Sequence, residues 1–515
     1  MNIFFRTNFG NKLGLGNLVR CDRLAQEFKR FGHKCFFIFD KPNQQNFTKF
    51  QSFFLYQKTN KFNQFKDAKL VLQLLKKYKS KIIISDDTRL NYDWQKFISQ
   101  KKIKIVSFTE GSKEKQYADF LINYNPINYP VIKKNFYVSG KKNCKYLIHP
   151  KYCIISKKKI VKNYKFKKKF YFTFYLGGGG DLNIFKKILN ELSRTQDLKM
   201  CKFLVIIGLF AKNKQVIKKL TFKNKSIEFF DKGKNIDFII KNSNFFIGTA
   251  GTSLFETSYL NTPSIMFKFA QNQLTDAEAL QNIGHYFYLD IKELKNIKKI
   301  IKLLVSIKKN YPRIKNMFKN SRLKIDNSGS KRIVKEILNY KIRKKINQKT
   351  FPKNKSNTFL IRKVEDKDIN HYLNCRNLKI NRENSSITQP IKKIDHYNWW
   401  FKTNRKSFLL IRGERKILYF YKEKLFFFNG KDYYLSGWFA CTKKCEPRDI
   451  LYALNWQRKQ DDGVKWISFV KNNNILSLKM SKYIGWKKMT KSDLMIKMTR
   501  KKLKLKKQKF TYFYR

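Results

Sequence analysis

Residue types able to bind an anion or move a proton recur along this 515-residue chain. Gly14 and Gly16 sit in Arg6-Thr-Asn-Phe-Gly-Asn-Lys-Leu-Gly-Leu-Gly-Asn-Leu-Val-Arg-Cys21. Such glycines let backbone approach a ligand that a side chain would exclude, and the amides of a following helix favour an anionic or oxygen-rich group; the same glycines also serve a plain turn. Gly177 to Gly180 are four glycines in a row. Their cost in chain entropy points to a close backbone approach, for which phosphate is the natural occupant. Asp86 and Asp87 supply carboxylates of the kind that serve as a general base. Cys441 and Cys445 lack a second Cys or His pair nearby in sequence, so no metal site is expected.

These residues need elements to hold them. A strand over Asn2 to Phe5, the glycine loop, and an apolar stripe of Cys21, Leu24, Ala25 and Phe28 closed by Gly32 read as strand, loop and helix. Strands are expected over 34–40, 81–85, 104–108, 170–176, 204–208, 226–230 and around 245–249. Helices are expected over 68–78, 181–192, 275–283, 291–307 and 330–340. This alternation predicts parallel sheets with helices on both faces. The lysine-rich run 157–169 reads as a solvated connection between two such halves.

The opening string resembles that of the UDP-sugar hydrolases of pseudaminic acid biosynthesis, the PseG type with the related SpsG proteins, in which Gly-Leu-Gly-His-x-x-Arg-Cys follows a strand ending in Arg. Gly14, Leu15, Gly16, Arg20 and Cys21 match, and Asn17 stands where the family carries its catalytic histidine. An amide cannot act as a base near neutral pH. Asp86 and Leu90 match the family's Asp-x-Tyr-x-Leu, while Thr88 replaces the tyrosine placed in the active site. The segment from Phe245 to Met266 is similar to the nucleotide-sugar site of two-domain GT-B enzymes. That resemblance assigns Gly248, Gly251, Thr252 and Ser253 to the diphosphate, Glu256 to the ribose hydroxyls, and Asn272 and Gln273 to the family's Ala-x-Asn-Gln. It covers about residues 1 to 340 and implies a UDP-sugar substrate, a sugar acceptor if the reaction is transfer, and no cofactor or metal. Hydrolysis, glycosyl transfer, and sugar-nucleotide binding without catalysis all remain open.

Phe359 to Val364, Cys375-Arg-Asn377, His396-Tyr-Asn-Trp399, Val470 to Ser477 and Gly485-Trp486 resemble the GNAT acyltransferases that modify amino sugars. This implies acetyl coenzyme A as cofactor and His396 as a substrate-binding residue or a packed one. The loop between Ala440 and Ile450, where those enzymes bind pyrophosphate on glycines, has none, so weak coenzyme A binding is expected. The fold class is thus α/β, a GT-B-like pair of Rossmann-type domains followed by a GNAT-like domain. The expected boundaries are 1–155, 170–340, a basic linker 341–356, the GNAT-like domain 357–490, and a basic tail 491–515 read as a frayed end.

Composition bounds the rest. No stretch reaches the apolar length of a membrane span and the start lacks a secretory pattern, so the cytoplasm is expected. A net charge of +77, from 113 Lys and Arg against 36 Asp and Glu, would suit nucleic acid. The 48 phenylalanines that accompany the lysines fit an AT-rich genome better, with non-specific polyanion binding as a by-product.

Overall fold

Short runs of Ile, Phe and Val with few interruptions make strands buried on both faces, and Ile82-Ile-Ile-Ser-Asp86 has every residue buried. The computed structural model describes residues 1–10, 15–41, 47–56, 62–109, 115–126, 141–156, 166–231, 236–268, 276–339, 358–460, 463–490, 493–505 and 510–515. The chain forms two units, Met1–Ile346 and Asn347–Arg515.

In the first unit, β1 (Asn2–Thr7), β2 (Lys34–Phe39), β3 (Gln51–Phe54), β4 (Ile82–Asp86), β5 (Lys104–Phe108), β6 (Phe120–Asn123) and β7 (Lys145–Ile148) lie in the order β3-β2-β1-β4-β5-β6-β7. Every pairing is parallel. The order reverses between β1 and β4, which opens a crevice at their C-terminal ends, where Arg6, Thr7 and Asp86 stand. Helix α1 (Gly16–Arg30) buries Leu18, Cys21, Leu24, Ala25 and Phe28. Helices α2 (Gln64–Lys77) and α3 (Tyr92–Ser99) pack in the core of the opposite sheet face, with Val71, Leu75, Trp94 and Ile98.

The second half repeats the plan with β8 (Phe170–Tyr175), β9 (Gly179–Asp181), β10 (Cys201–Ile206), β11 (Phe210–Lys212), β12 (Ile227–Phe230), β13 (Phe245–Thr249), β14 (Ser264–Phe267) and β15 (Phe287–Leu289). Its main sheet is parallel, in the order β12-β10-β8-β13-β14-β15. Around it are α4 (Asn183–Arg194), α5 (Lys214–Lys223), α6 (Ile236–Asn242), α7 (Ser253–Tyr259), α8 (Ala277–Gln281), α9 (Ile297–Lys309), α10 (Tyr311–Lys319) and α11 (Gly329–Leu338).

Two expectations change here. The glycine run does not open a helix: Gly179–Asp181 pairs with Phe210–Lys212 as a two-stranded ribbon, and α4 starts only at Asn183. Helix α11 does not stay with the second half. It packs on α1 and on residues 150–152, Lys145 of β7 pairs with its Glu336, and Arg332 donates to the Lys151 carbonyl at 2.8 Å. Gly329 makes that approach feasible, since a Cβ there would lie 1.9 Å from the Cys153 carbonyl oxygen.

The second unit holds β16 (Phe359–Lys363), α12 (Ile369–Arg376), α13 (Lys379–Glu383), α14 (Lys393–Trp400), β17 (Lys406–Arg412), β18 (Arg415–Phe428), β19 (Lys431–Ala440), α15 (Pro447–Gln460), β20 (Lys465–Lys471), α16 (Ile475–Tyr483), β21 (Lys487–Lys488), α17 (Leu494–Leu503) and β22 (Phe510–Tyr514). The sheet order is β16-β17-β18-β19-β20-β22-β21. Strands β16 to β19 are antiparallel neighbours, whereas β19 and β20 run parallel and pair only over Tyr433–Leu435 with Lys465–Ile467. The expected frayed tail is instead integral to this sheet. Strand β22 pairs with both β20 and β21 and buries Tyr512 and Phe513, so its run of aromatic residues, rather than the lysines before it, decides its fate.

Candidate functional site

The crevice of the first half is built on α1. Residues 17, 20 and 23 fall at i, i+3, i+6 and share one helix face. Arg20 donates through Nε and Nη2 to the two carboxylate oxygens of Asp86, a bidentate pair, and its guanidinium lies 4.9 Å from the centroid of the Phe108 ring. Asn17 completes the group: its Nδ2 donates to the Asp86 carbonyl at 3.3 Å, and its Oδ1 accepts from Arg20 at 3.2 Å. Cys21, the neighbouring thiol, is pushed well up by burial and by Asp86, which makes it a packing residue. A small pocket here is lined by Arg20, Asp86, Asp87, Thr88, Ser107 and Phe108. Of the residues the sequence singles out, Asp86 and Thr88 line this pocket, Thr88 being exposed, and Asn17 adjoins it through its bond to the Asp86 carbonyl.

Both aspartates on this wall are paired with an arginine. Asp86 is clamped by Arg20, and Asp87 accepts from Arg89 Nε at 2.9 Å. Arg89 reaches on to Asp40, which accepts from Arg6 at 2.5 Å, and Arg6 donates to Asp67 at 2.7 Å. Tyr56 and Trp94 donate to Asp67 as well, at 3.1 and 2.9 Å. This chain of alternating charges stiffens the C-terminal edge of β1, β2 and β4. Burial opposes the charge on Arg6, but its carboxylate partners outweigh that and its pKa is raised.

The second half faces this edge with Glu256. It is 6% exposed on α7, and its Oε1 accepts from Arg23 Nη2 at 2.8 Å, across the crevice from α1. Arg23 also donates to the Ile154 carbonyl at 3.2 Å. Burial works against the Arg23 charge, yet pairing with Glu256 prevails and its pKa is raised. Among the described residues Glu256 Oε2 receives no hydrogen bond, which leaves it open to a ligand hydroxyl. Tyr124, just past β6, packs edge-on against Phe255 at 5.1 Å and closes one side. Arg23 and Tyr124 are absent from the sequence-based assignment; the helical spacing from Asn17 and Arg20 is the signal that would have found Arg23.

The glycines divide between roles. The Gly177–Gly178 backbone is covered by protein: a Cβ on Gly208 would lie 2.2 Å from the Gly177 carbonyl oxygen, and one on Gly178 would lie 3.2 Å from Leu15. The loop thus makes close approaches to Gly208 and to Leu15 of the first half. Gly248 is a buried strand residue whose Cβ would meet the Tyr175 carbonyl at 2.5 Å. Gly251, Thr252 and Ser253 form the turn into α7, with Ser253 Oγ donating to the Thr249 carbonyl at 3.0 Å. Gly16 opens α1 with open space around it. Gly14, Asn272 and Gln273 lie outside the described residues.

With this geometry in place, the comparisons can be located on it. Residues 173–337 match the Glycosyltransferase family 28 C-terminal domain. That segment is the second Rossmann-type half and carries Glu256. Solved structures similar to the chain include MurG of Acinetobacter baumannii, 9% identical, covering 66% of this chain and 100% of that one with a TM-score of 0.46. A UDP-GlcNAc 2-epimerase from Neisseria meningitidis bound to UDP-GlcNAc is 10% identical, covering 66% and 100% with a TM-score of 0.45. The lipopolysaccharide outer core galactosyltransferase WaaB is 14% identical, covering 66% and 99% with a TM-score of 0.41. No curated protein sequence matches. The architecture is mixed α/β, a pair of parallel Rossmann-like sheets followed by a separate sheet domain. Among the described residues no helix is long and apolar enough to cross a membrane.

In the second unit, His396 is packed in the interior. It is 4% exposed, its Nε2 bonds the Ile369 carbonyl at 2.8 Å, and burial pushes its pKa down to about 4. His285 in the first unit is similar: neutral, bonded to Ser264 and the Leu254 carbonyl at 2.7 Å each, with its pKa down to about 4 from burial.

Proposed function

We propose that the first unit binds a UDP-linked amino sugar and transfers the sugar from its anomeric carbon to an acceptor hydroxyl, in the synthesis of a surface polysaccharide or flagellar glycan. The observation that carries this reading is Glu256, which lies in the segment matching the glycosyltransferase domain and whose Oε2 receives no hydrogen bond among the described residues. In this reading Oε2 accepts the ribose hydroxyls while Arg23 holds Oε1. The turn 251–253 meets the diphosphate, and the anomeric carbon points to the pocket of Arg20 and Asp86.

Transfer is favoured over PseG-type hydrolysis because both positions of that machinery are altered. Asn17 spends its amide on the Asp86 carbonyl, and Thr88 has no phenol to offer. Asp86, the carboxylate on the pocket wall, takes the acceptor proton as the bond to UDP breaks. UDP release from a diacetamido sugar nucleotide, with and without sugar acceptors, tests this. Acceptor-dependent release that Asp86→Asn lowers by about 10²-fold or more supports it; equal release in water alone restores the hydrolase reading. Binding without turnover, even in Asn17→His/Thr88→Tyr, leaves a sugar-nucleotide binding protein.

The GNAT-like reading of the second unit belongs to the same proposal. Its support is the sheet order and the parallel β19 and β20, which stop pairing after Leu435 and Ile467 and so leave a gap of the kind an extended cofactor enters. The loop after β19 argues for weak coenzyme A binding. The amides of Lys444, Cys445 and Glu446 are already bonded to Thr442 Oγ1, the Thr442 carbonyl and Asp449, at 3.2, 3.3 and 2.8 Å.

A further inference from the structure

Cys441, paired in sequence with Cys445, has different partners in the fold. Cys375 and His371 stand one turn apart on α12, so both side chains project from one face, and Cys441 follows the last residue of β19. The ligand atoms of His371, Cys375 and Cys441 all lie within 4.8 Å of one another. Cys375 Sγ is 3.6 Å from His371 Nδ1 and 3.7 Å from Nε2. For a tetrahedral zinc ion with a sulfur at about 2.3 Å and a nitrogen at about 2.0–2.1 Å, that edge is about 3.6 Å.

Two further contacts hold the group in place. Tyr419 Oη bonds His371 Nδ1 at 2.8 Å, which holds the ring and leaves Nε2 as the nitrogen for an ion, the role of an outer-shell partner. The buried Asn381 amide joins the two cysteine-bearing segments: Nδ2 donates to the carbonyls of Cys375 and Ala440 at 2.6 and 2.7 Å, and Oδ1 accepts from the Ala440 amide at 3.0 Å. The main chain on either side of the thiols is thus tied together by protein contacts alone. His371 and Cys441 keep partial exposure while Cys375 is buried, so the group is reachable from water on one side.

We propose that His371, Cys375 and Cys441 bind a thiophilic divalent cation, zinc by ligand type, with three protein ligands and water in the fourth position. Binding releases the two thiol protons to solvent and links α12 to the loop that follows β19. The proposal does not rest on the nucleotide-sugar reading, and Cys441 is the first residue of the loop after β19.

The test uses the full chain, reduced and freed of metal, titrated with cobalt(II) as a spectroscopic stand-in and then with zinc. The expected result is one cobalt per chain, with the intense visible bands of tetrahedral coordination, a thiolate charge-transfer band, and release of about two protons. Cys441→Ser and Cys375→Ser should each cut the charge-transfer band to about half its intensity. Tyr419→Phe should weaken binding about 10-fold, and each ligand variant by more than that. Cys445→Ser should match the parent chain. If Cys375→Ser fails to fold, the parent stoichiometry and the partly exposed Cys441 still decide. No cobalt uptake by the reduced parent overturns the proposal, as does equal loss in Cys445→Ser, or a Cys375–Cys441 disulfide that forms in the presence of excess zinc.

Discussion

Arg23→Ala removes the cation that faces Glu256 across the crevice, and its cost can be worked out from the contact. The pair is 2.8 Å long, with side-chain exposures of 19% for Arg23 and 8% for Glu256. Breaking a fully buried pair by removing one partner costs about 3–5 kcal/mol, because the other charge is left in a poor solvent. Arg23 keeps a fifth of its surface in water, so water can enter and solvate Glu256 in part, which brings the expectation to about 2–3 kcal/mol. For a unit of this size that corresponds to a fall in Tm of roughly 3–4 °C. Thermal unfolding of the parent chain, Arg23→Ala, Glu256→Ala and the double variant measures it. The double variant should lose less than the sum of the singles, by about 1.5–3 kcal/mol, the scale of a hydrogen bond to a charged group. A change in Tm under about 1 °C for Arg23→Ala, or singles that simply add, would refute the claim that this pair ties the two halves together.

Gly329→Ala should destabilise the first unit by about 1–3 kcal/mol in urea unfolding, because its Cβ would meet the Cys153 carbonyl, which is backbone and cannot swing aside. Acid should weaken both units before their carboxylates titrate. His285 and His396 have folded pKa values lowered from 6.5 to about 4, so the unfolded chain binds the proton first. Their contribution is complete above about pH 6.5 and declines toward pH 4, by up to about 3 kcal/mol each, and a flat urea midpoint from pH 7 to 5 would contradict it. Acetyl coenzyme A should bind the full chain weakly or not at all by calorimetry, since the loop amides are spoken for; tight binding would show that its lysines suffice.

Much of the α/β plan was legible because buried parallel strands are near-continuous apolar runs, as in Ile82 to Ile84, and glycine loops punctuate them. Pairing across the crevice was not. Nothing local to Arg23 or Glu256 reveals that they meet, and the same holds for Cys441 and Cys375, which chain topology alone brings together. The four-glycine run signals a close approach through its chain entropy without saying to what, and the approach to Gly208 is visible only in the fold. Short edge strands such as Gln51–Phe54 carry too few residues for a period to show, and at the C-terminus the lysines before β22 masked its aromatic run.

The central claim is that the second half of the first unit recognises uridine nucleotides through Glu256. Calorimetric titration of the parent chain and of Glu256→Ala with UDP and with ADP, at moderate salt so that non-specific polyanion binding is screened, tests it most directly. The account predicts selective binding of UDP by the parent and a loss of about 10- to 150-fold in Glu256→Ala, the equivalent of about 1.5–3 kcal/mol. Equal affinity of parent and variant for UDP, or no preference for UDP over ADP in the parent, would contradict it.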